Sequence, residues 1–326
     1  MQERRLGELT VSSIGLGCMS MSQGYGSAVR QESERALHRA LDVGYTFLDT
    51  ASVYGLGHNE SLIGEVLGLR RNEFVLASKC GIVNKGGKRG VDCSPENVLW
   101  TLDESLQRLG TDHIDLYYLH RRDFDVPIEE SVGALSTAVK AGKIGHIGLS
   151  ECSSETIRKA HAEHPICAVQ SEYSLWTRDP EHKVLNCCEE LSIGFVPFSP
   201  LGRAFLAGTV TNIDELEDGD MRKTMPRFNG ENFTHNLTLL DEFKAIAAEN
   251  SCTPAQLALA WVMGQNPNFV PIPGTKHVKF VEENAQAPEL NINSGDLERA
   301  GAIFENGKVF GDRYHPSQMI SLDPDH

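Results

Sequence analysis

The chain has 326 residues, of which 40% are hydrophobic and 23% are charged, and this usage excludes a disordered or fibrous protein. Its 30 basic and 45 acidic side chains give a formal net charge of −15, which argues against nucleic acid and anionic membranes as partners because like charges repel. Residues 1–9 lack the apolar run of a secretory signal, and no stretch approaches the roughly 20 apolar residues that span a bilayer, so we expect a cytoplasmic protein.

The first predicted element is a hairpin over Arg4–Thr10, centred on Gly7-Glu8, which would plug the floor of a barrel that follows. Eight short apolar runs come next, and such runs between helical segments are typical of buried parallel strands. They cover residues 13–17, 44–48, 74–78, 114–119, 145–149, 167–170, 194–198 and 269–272. Because eight parallel strands close a barrel, the sequence predicts an α/β fold, a TIM (β/α)8 barrel, as one domain over residues 1–326.

Segments with helical periodicity lie between these runs. In residues 31–42 the apolar side chains share one face, and Ser94 followed by Pro95 is typical of a helix start. The other predicted helices cover residues 127–141, 153–162, 180–191 and 253–263.

Two segments interrupt the alternation of strands and helices. Residues 205–235 are long, polar and acidic, and a loop of this length in a compact domain is usually functional or mobile. We interpret it as a flexible flap over the active-site mouth, one of the long loops of the C-terminal face, with a disordered insertion as the alternative. Residues 311–326 are expected to form an irregular tail.

Four chemically active residues stand where predicted strands end or shortly after. Asp49, Lys79 and His120 follow three of the apolar runs, and Tyr54 lies five residues after Asp49. Taken singly, they could be a turn residue, a surface lysine, a satisfied barrel histidine and a rim aromatic. Because the carboxyl ends of barrel strands converge on the catalytic face, together they indicate an active site.

These side chains suit the reduction of a carbonyl group. Tyr54 could give a proton to the oxygen of a carbonyl that accepts a hydride, and Lys79, held by Asp49, would lower the tyrosine pKa from its usual value of about 10. His120 would donate a hydrogen bond to the same oxygen.

Motifs along nearly the whole chain stand in the order of a known family. They are Gly44–Ala51 with Tyr54-Gly55, Ser78-Lys79, Leu119-His120, and residues 148–150, 170–175, 198–203, 272–276 and 283–284. On these residues the chain resembles the aldo-keto reductase family, and it is most similar to the branch that contains plant perakine reductase and related bacterial and fungal enzymes. The resemblance implies an NADP(H)-dependent enzyme that reduces aldehydes and some ketones to alcohols, with Tyr54 as general acid.

The resemblance also implies how the cofactor is bound, since no G-x-G-x-x-G motif is present. Phe198 would stack on the nicotinamide ring, and Ser150 and Gln170 would bond its carboxamide. The remaining implied cofactor residues are Ser199, Leu201, Arg203, Gly274, Thr275, Lys276, Lys279, Glu283 and Asn284.

A basic cluster at the last of these motifs favours NADPH over NADH. Residues 274–276 are predicted to open a helix, whose first N–H groups attract phosphate, and Lys276, His277 and Lys279 stand together in an otherwise acidic chain. A solvated basic turn is the alternative.

The chain departs from its relatives at Glu151, Phe280 and Met19, where many carry Asn, Arg and a nearby Trp. The carboxamide contact of an asparagine therefore cannot be transferred to Glu151. Met19, Tyr25, Val53 and Trp176 are expected to line an apolar mouth for a small carbonyl substrate.

Weaker patterns leave other interpretations open. His161 and His164 could share a metal, but without a third ligand a solvated helix face is favoured, and no metal is predicted. Eight cysteines without a C-x-x-C motif are expected to be reduced. The rival function is that of a cofactor-binding regulatory protein, as in potassium-channel β subunits, and we expect a monomer or weak homo-oligomer.

Overall fold

In the computed structural model, which describes residues 1–86, 88–305, 307–319 and 322–323, the chain begins with an antiparallel hairpin. Strand β1 (Glu3–Leu6) pairs with β2 (Leu9–Ser12). Gly7 at the turn has φ +58°, and a Cβ atom there would lie 2.4 Å from the carbonyl oxygen of Cys167. Leu6 and Val11 join the core inside the barrel, so the predicted hairpin plug is confirmed.

The described residues place seven parallel strands in one curved sheet, and their neighbours in the sheet follow chain order. These strands are β3 (Leu16–Gly17), β4 (Phe47–Asp49), β5 (Val75–Cys80), β8 (Ile114–Leu119), β9 (Ile144–Ser150), β10 (Ile166–Glu172) and β11 (Gly194–Phe198). A further antiparallel hairpin, which the sequence did not predict, joins β6 (Ile82–Lys85) to β7 (Lys88–Val91) directly after β5.

The eighth predicted strand, residues 269–272, closes the barrel without forming a regular ladder. On one side Val270 and Ile272 donate backbone N–H groups to β11, and on the other Gly15 and Gly17 donate to the carbonyls of Pro271 and Pro273. Isolated parallel bridges mark both contacts. A proline has no N–H to donate, which explains why the strand prediction was wrong in form although the (β/α)8 barrel is confirmed.

Helices cover the outside of the barrel and mostly match the predicted segments. Their bounds are α1 (Arg30–Asp42), α2 (His58–Leu67), α3 (Pro95–Leu109), α4 (Ile128–Lys140), α5 (Ser154–Glu163), α6 (Val184–Glu190), α7 (Gly230–Glu249), α8 (Pro254–Gln265), α9 (Val278–Gln286), α10 (Ser294–Ile303) and α11 (Pro316–Met319). Ser94, Ser153 and Thr253 cap α3, α5 and α8 with their side chains. The predicted helix over 180–191 divides into a 3-10 turn at Asp179–His182 and α6.

The segment 205–235 is more ordered than the sequence indicates. It holds 3-10 turns at Ile213–Glu215, Met221–Thr224 and Pro226–Phe228, and its last residues already belong to α7. Phe205 and Phe228 are fully buried and pack on Trp176, which anchors the segment by apolar burial. Its movement as a flap stays a prediction. Of the predicted irregular tail, Arg313 and Tyr314 are buried, whereas residues 320, 321 and 324–326 lie outside the described part.

Candidate active site

The ends of three neighbouring strands bring the four predicted catalytic residues together. Asp49 closes β4, Lys79 lies near the end of β5 and His120 directly follows β8. Lys79 is fully buried and donates hydrogen bonds to the Asp49 carboxylate and, at 2.8 Å, to the Thr50 carbonyl oxygen. Its Nζ lies 3.5 Å from the Tyr54 hydroxyl oxygen. The structure thus brings the four side chains together, and their catalytic roles stay a prediction.

Lys79 stays charged in this site. Burial disfavours an ammonium ion, but the adjacent Asp49 carboxylate and Tyr54 outweigh that penalty and hold the pKa of Lys79 above its ordinary value. Gln170 supports the pair because its side-chain amide donates to the other Asp49 oxygen at 2.8 Å. The buried cation is therefore paired and held in position.

A strained turn positions Tyr54. The three residues after it, Gly55, Leu56 and Gly57, all have positive φ, and for Leu56 the value is +54°. Gln23 accepts the Gly55 N–H at 2.9 Å. Because a non-glycine residue in this conformation costs free energy that the surroundings must offset, strain of this kind is concentrated at functional sites.

The tyrosine titrates differently from what the sequence predicts. Lys79 does favour the phenolate, as expected, but burial has the larger effect and raises the pKa of Tyr54 above its usual 10. The phenol is consequently protonated at neutral pH, which is the state that a general acid requires.

His120 is a neutral imidazole. Burial lowers its pKa well below the usual 6.5, and the charges of Lys79, Arg121 and Arg89 lower it further. Its ring stands edge-on to Tyr54 with 5.8 Å between centroids. Its Nδ1 atom is buried without a hydrogen-bond partner among the described residues.

The strand ends beside this cluster carry the residues predicted to contact a nicotinamide. Ser150 is buried at the end of β9, Gln170 is buried on β10 two residues before its end, and Phe198 ends β11 with a half-exposed side chain. Ser199 has φ +50° and Leu201 is half-buried. The Arg203 guanidinium donates to Glu172 at 2.8 Å and to the Tyr314 hydroxyl at 3.0 Å, and its role toward a cofactor stays a prediction.

Residues 274–276, predicted to bind phosphate, lie in the loop before α9, and not in its first turn as the sequence predicted. α9 begins at Val278 with His277 as N-cap, so residues 274–276 form a loop and do not open the helix. Gly274 and Lys279 are exposed, and Thr275 is buried. Lys276 donates to the carbonyl oxygens of Tyr25, at 2.9 Å, and Ser27.

The two remaining cofactor predictions lie on α9. Asn284 is buried, and the Glu283 carboxylate accepts the Thr253 hydroxyl at 2.6 Å. Their roles toward a cofactor stay predictions.

The predicted substrate wall is only partly assembled. Met19, Tyr25 and Val53 are half-buried. Trp176 is 3% exposed and stacks on Phe205 at 4.1 Å, so it packs beneath the long loop and does not line an open mouth. Its burial depends on Phe205 and Phe228, which are distant in the sequence.

Sequence reasoning missed a buried ionic network at the same face of the barrel. Arg313 from the tail donates to the Glu151 carboxylate at 3.0 Å, and Glu151 also accepts the backbone N–H of Glu172 at 2.7 Å. Glu172 in turn pairs with Arg203. The replacement of the family's asparagine by Glu151 was the available signal, because a buried carboxylate requires a cationic partner.

Metal and membrane sites find no support in the described residues. No group of three or more His, Cys, Asp and Glu side chains there could hold a metal ion. Across residues 1–86, 88–305, 307–319 and 322–323, every helix is too short or too polar to cross a bilayer.

Comparison with known proteins places this geometry in context. The model of the aldo/keto reductase family matches residues 13–304. The chain is 42% identical over 320 residues to the protein named aldo-keto reductase yakc [NADP(+)] of Schizosaccharomyces pombe, which covers 96% of this chain and 94% of the relative. It is also 42% identical over 308 residues to probable aldo-keto reductase 1 of Glycine max, covering 94% and 89%.

Solved structures agree with the fold. A glycerol dehydrogenase from Gluconobacter oxydans is 26% identical with a TM-score of 0.85, covering 96% of this chain and 98% of that one. An aldo/keto reductase from Klebsiella pneumoniae, solved in complex with NADP and acetate, is 26% identical with a TM-score of 0.74 and the same coverage. Similarity to the perakine reductase branch is not tested by these matches and stays a prediction.

Proposed function

Because the chain belongs to the aldo/keto reductase family of oxidoreductases, we propose that it reduces aldehydes, and some ketones, to alcohols with hydride supplied by bound NADPH. Tyr54 is the general acid in this proposal. The observation that carries it is the contact of the protonated Tyr54 phenol with the buried Lys79–Asp49 pair. Such a pair stabilises the phenolate that remains once the proton has left.

The site residues divide the work of proton delivery. Tyr54 protonates the oxygen on which negative charge develops, and Lys79 stabilises the resulting phenolate across 3.5 Å. His120, neutral because of burial and three nearby cations, orients the carbonyl through its ring N–H. Asp49 keeps Lys79 in place, and the Gln170 side-chain amide holds Asp49 through a hydrogen bond.

The barrel face also suits a dinucleotide. The half-exposed Phe198 side chain lies at the end of β11, Ser150 ends β9, and Gln170 lies on β10 between these two strands. The Schizosaccharomyces relative is named for NADP(+), and the Klebsiella structure contains NADP. Lys276 in the loop before α9 and Lys279 in the first turn of α9 support the same preference in this chain, because cations attract a 2′-phosphate.

Removing the Tyr54 hydroxyl group tests the proposal. Replacing Tyr54 with Phe should reduce turnover of a simple aldehyde at least about 100-fold, since general acid catalysis contributes roughly 10² to 10⁴. NADPH binding, followed by nucleotide fluorescence, should stay near that of the unaltered protein. Turnover is measured as loss of NADPH absorbance.

Tyr45→Phe is the matched control. It removes a tyrosine hydroxyl that donates to the Val281 carbonyl, away from the catalytic cluster, and should keep its activity. Full turnover by Tyr54→Phe would remove the proposed acid. Tight NADPH binding by the unaltered protein without turnover of any aldehyde would instead favour the regulatory role. A cytoplasmic location and a monomeric or weakly associated state remain part of the proposal.

A further inference from the structure

Two arginines beside the catalytic residues, the half-buried Arg121 and the exposed Arg89, form no ion pair with a carboxylate of the described residues. Arg203 pairs with Glu172, Arg313 with Glu151 and Arg222 with Asp220. Arg121 directly follows His120 and is half-buried, and among the described residues its guanidinium donates to the His120 carbonyl oxygen at 2.7 Å and to the Ser150 hydroxyl at 3.4 Å.

Arg89 supplies a second guanidinium from the hairpin that follows the Lys79 strand. It lies on β7 opposite Asn84, and the hairpin begins two residues after Cys80 and returns to Gly81 through the N–H of Asp92. Its charge acts on Tyr54, Arg121 and His120. Within the described part of the chain, neither Arg89 nor Arg121 forms an ion pair with a carboxylate.

The carboxylate nearest to Arg121 in the sequence is already engaged elsewhere. Asp123 is buried and accepts the backbone N–H groups of Cys93, at 2.8 Å, and of Asp125, at 3.0 Å. Arg122 donates to the carbonyl oxygens of Asp123 and Val126, and it adds a further positive charge to this loop. Arg89 and Arg121 thus place two positive charges near His120 without a carboxylate partner of their own, and an anion bound at these guanidinium groups would relieve an unfavourable charge distribution.

We propose that Arg89 and Arg121 form an anion subsite that binds the carboxylate of an aldehyde or ketone acid and directs its carbonyl group to Tyr54 and His120. The proposal rests on the proposed reductase function and names its substrate class. Guanidinium groups match carboxylates through paired, charge-assisted hydrogen bonds. In a chain with a net charge of −15, a local positive site is also what would draw an anionic substrate to the barrel mouth.

The test uses an anionic substrate and a neutral analogue of similar shape, 4-formylbenzoate and its methyl ester. The unaltered protein should show a kcat/KM for the acid at least about tenfold above that for the ester, and the preference should shrink in high salt. Arg121→Gln and Arg89→Gln should each lower kcat/KM for the acid about tenfold, mainly through KM, and change the value for the ester less than about threefold.

Control variants separate this role from others. Arg299→Gln removes one positive charge from the exposed face of α10 and should leave the preference unchanged. Equal losses for both substrates in Arg121→Gln would show that Arg121 only supports Ser150 and would overturn the subsite. Turnover of the ester without preference for the acid would overturn the subsite alone, whereas turnover of neither substrate would overturn the reductase proposal as well.

Discussion

Close contacts between neighbouring strands determine which side chain fits at some positions inside the barrel. Gly148 on β9 pairs with Tyr118 on β8, and a Cβ atom at position 148 would lie 2.3 Å from the Tyr118 ring. The ring is fully buried and lies under the catalytic cluster, with Lys79 Nζ 5.9 Å from its centroid. The glycine therefore provides the space that a large aromatic ring occupies in the barrel core.

Gly148→Ala should lower the free energy of unfolding by about 1–3 kcal/mol, because an added methyl group in a close-packed core forces side chains to shift. Urea denaturation measures the change. Gly133→Ala is the matched control, since its Cβ would meet no atom closer than 3.6 Å on helix α4 and should stabilise by roughly 0.5–1 kcal/mol. A neutral effect at position 148 would contradict the packing argument.

For single residues, the sequence predicted which side chains form the site better than it predicted their pKa values and partners. Asp49, Lys79 and His120 were recognisable because each follows an apolar run, and parallel strands bring their ends together. The pKa of Tyr54 was not predictable. It depends on burial by residues that are distant in the chain, and this burial exceeds the effect of Lys79. The same holds for Arg203, whose partner Glu172 lies 31 residues earlier.

Among the elements, the C-terminal segment is anchored to the catalytic face by charge. Arg313 is 2% exposed and lies within 3.0 Å of Glu151, 3.3 Å of Asp179 and 4.0 Å of Glu172. The neighbouring Tyr314 hydroxyl accepts from Arg203. A segment predicted to be irregular thus contributes two buried side chains to the support of β9 and β10.

Arg313→Met should destabilise the protein by about 3–5 kcal/mol, because it leaves buried carboxylates without their counter-charge. Combining it with Glu151→Gln should recover part of this loss, and the double-mutant cycle from chemical denaturation gives the coupling. Strict additivity of the two changes would show that Arg313 does not act through Glu151.

Element boundaries followed from the sequence where local chemistry decides them. Ser94 and Thr253 start their helices as predicted because a cap needs only the first turn. The eighth predicted strand forms no regular hydrogen-bond ladder, because its prolines accept hydrogen bonds from the neighbouring strand but have no N–H to donate. The segment 205–235 was read as structureless because its few aromatic residues find their partners only in the folded barrel.

At the scale of the whole molecule, a strongly acidic protein presents a catalytic face that concentrates positive charge. The net charge is −15, yet Lys79, Arg89 and Arg121 all act on His120, and Lys276 lies at the loop before α9. The βα alternation predicted the barrel because eight apolar runs are a regular signal. The distribution of charge around the barrel mouth required the fold, since hairpin β6–β7 and the His120 loop are far apart in the chain.

The proposed general acid catalysis depends on how the Lys79–Asp49 pair changes the pKa of Tyr54. The pH dependence of kcat/KM for aldehyde reduction tests it most directly in the unaltered protein and in Lys79→Met/Asp49→Asn, which removes the pair without leaving a buried charge. Reduction needs the protonated phenol, so the rate falls as pH rises through the tyrosine pKa. Because Lys79 lowers that pKa more than Asp49 raises it, the fall should move to higher pH in the variant. An unchanged profile, or a shift to lower pH, would contradict the account.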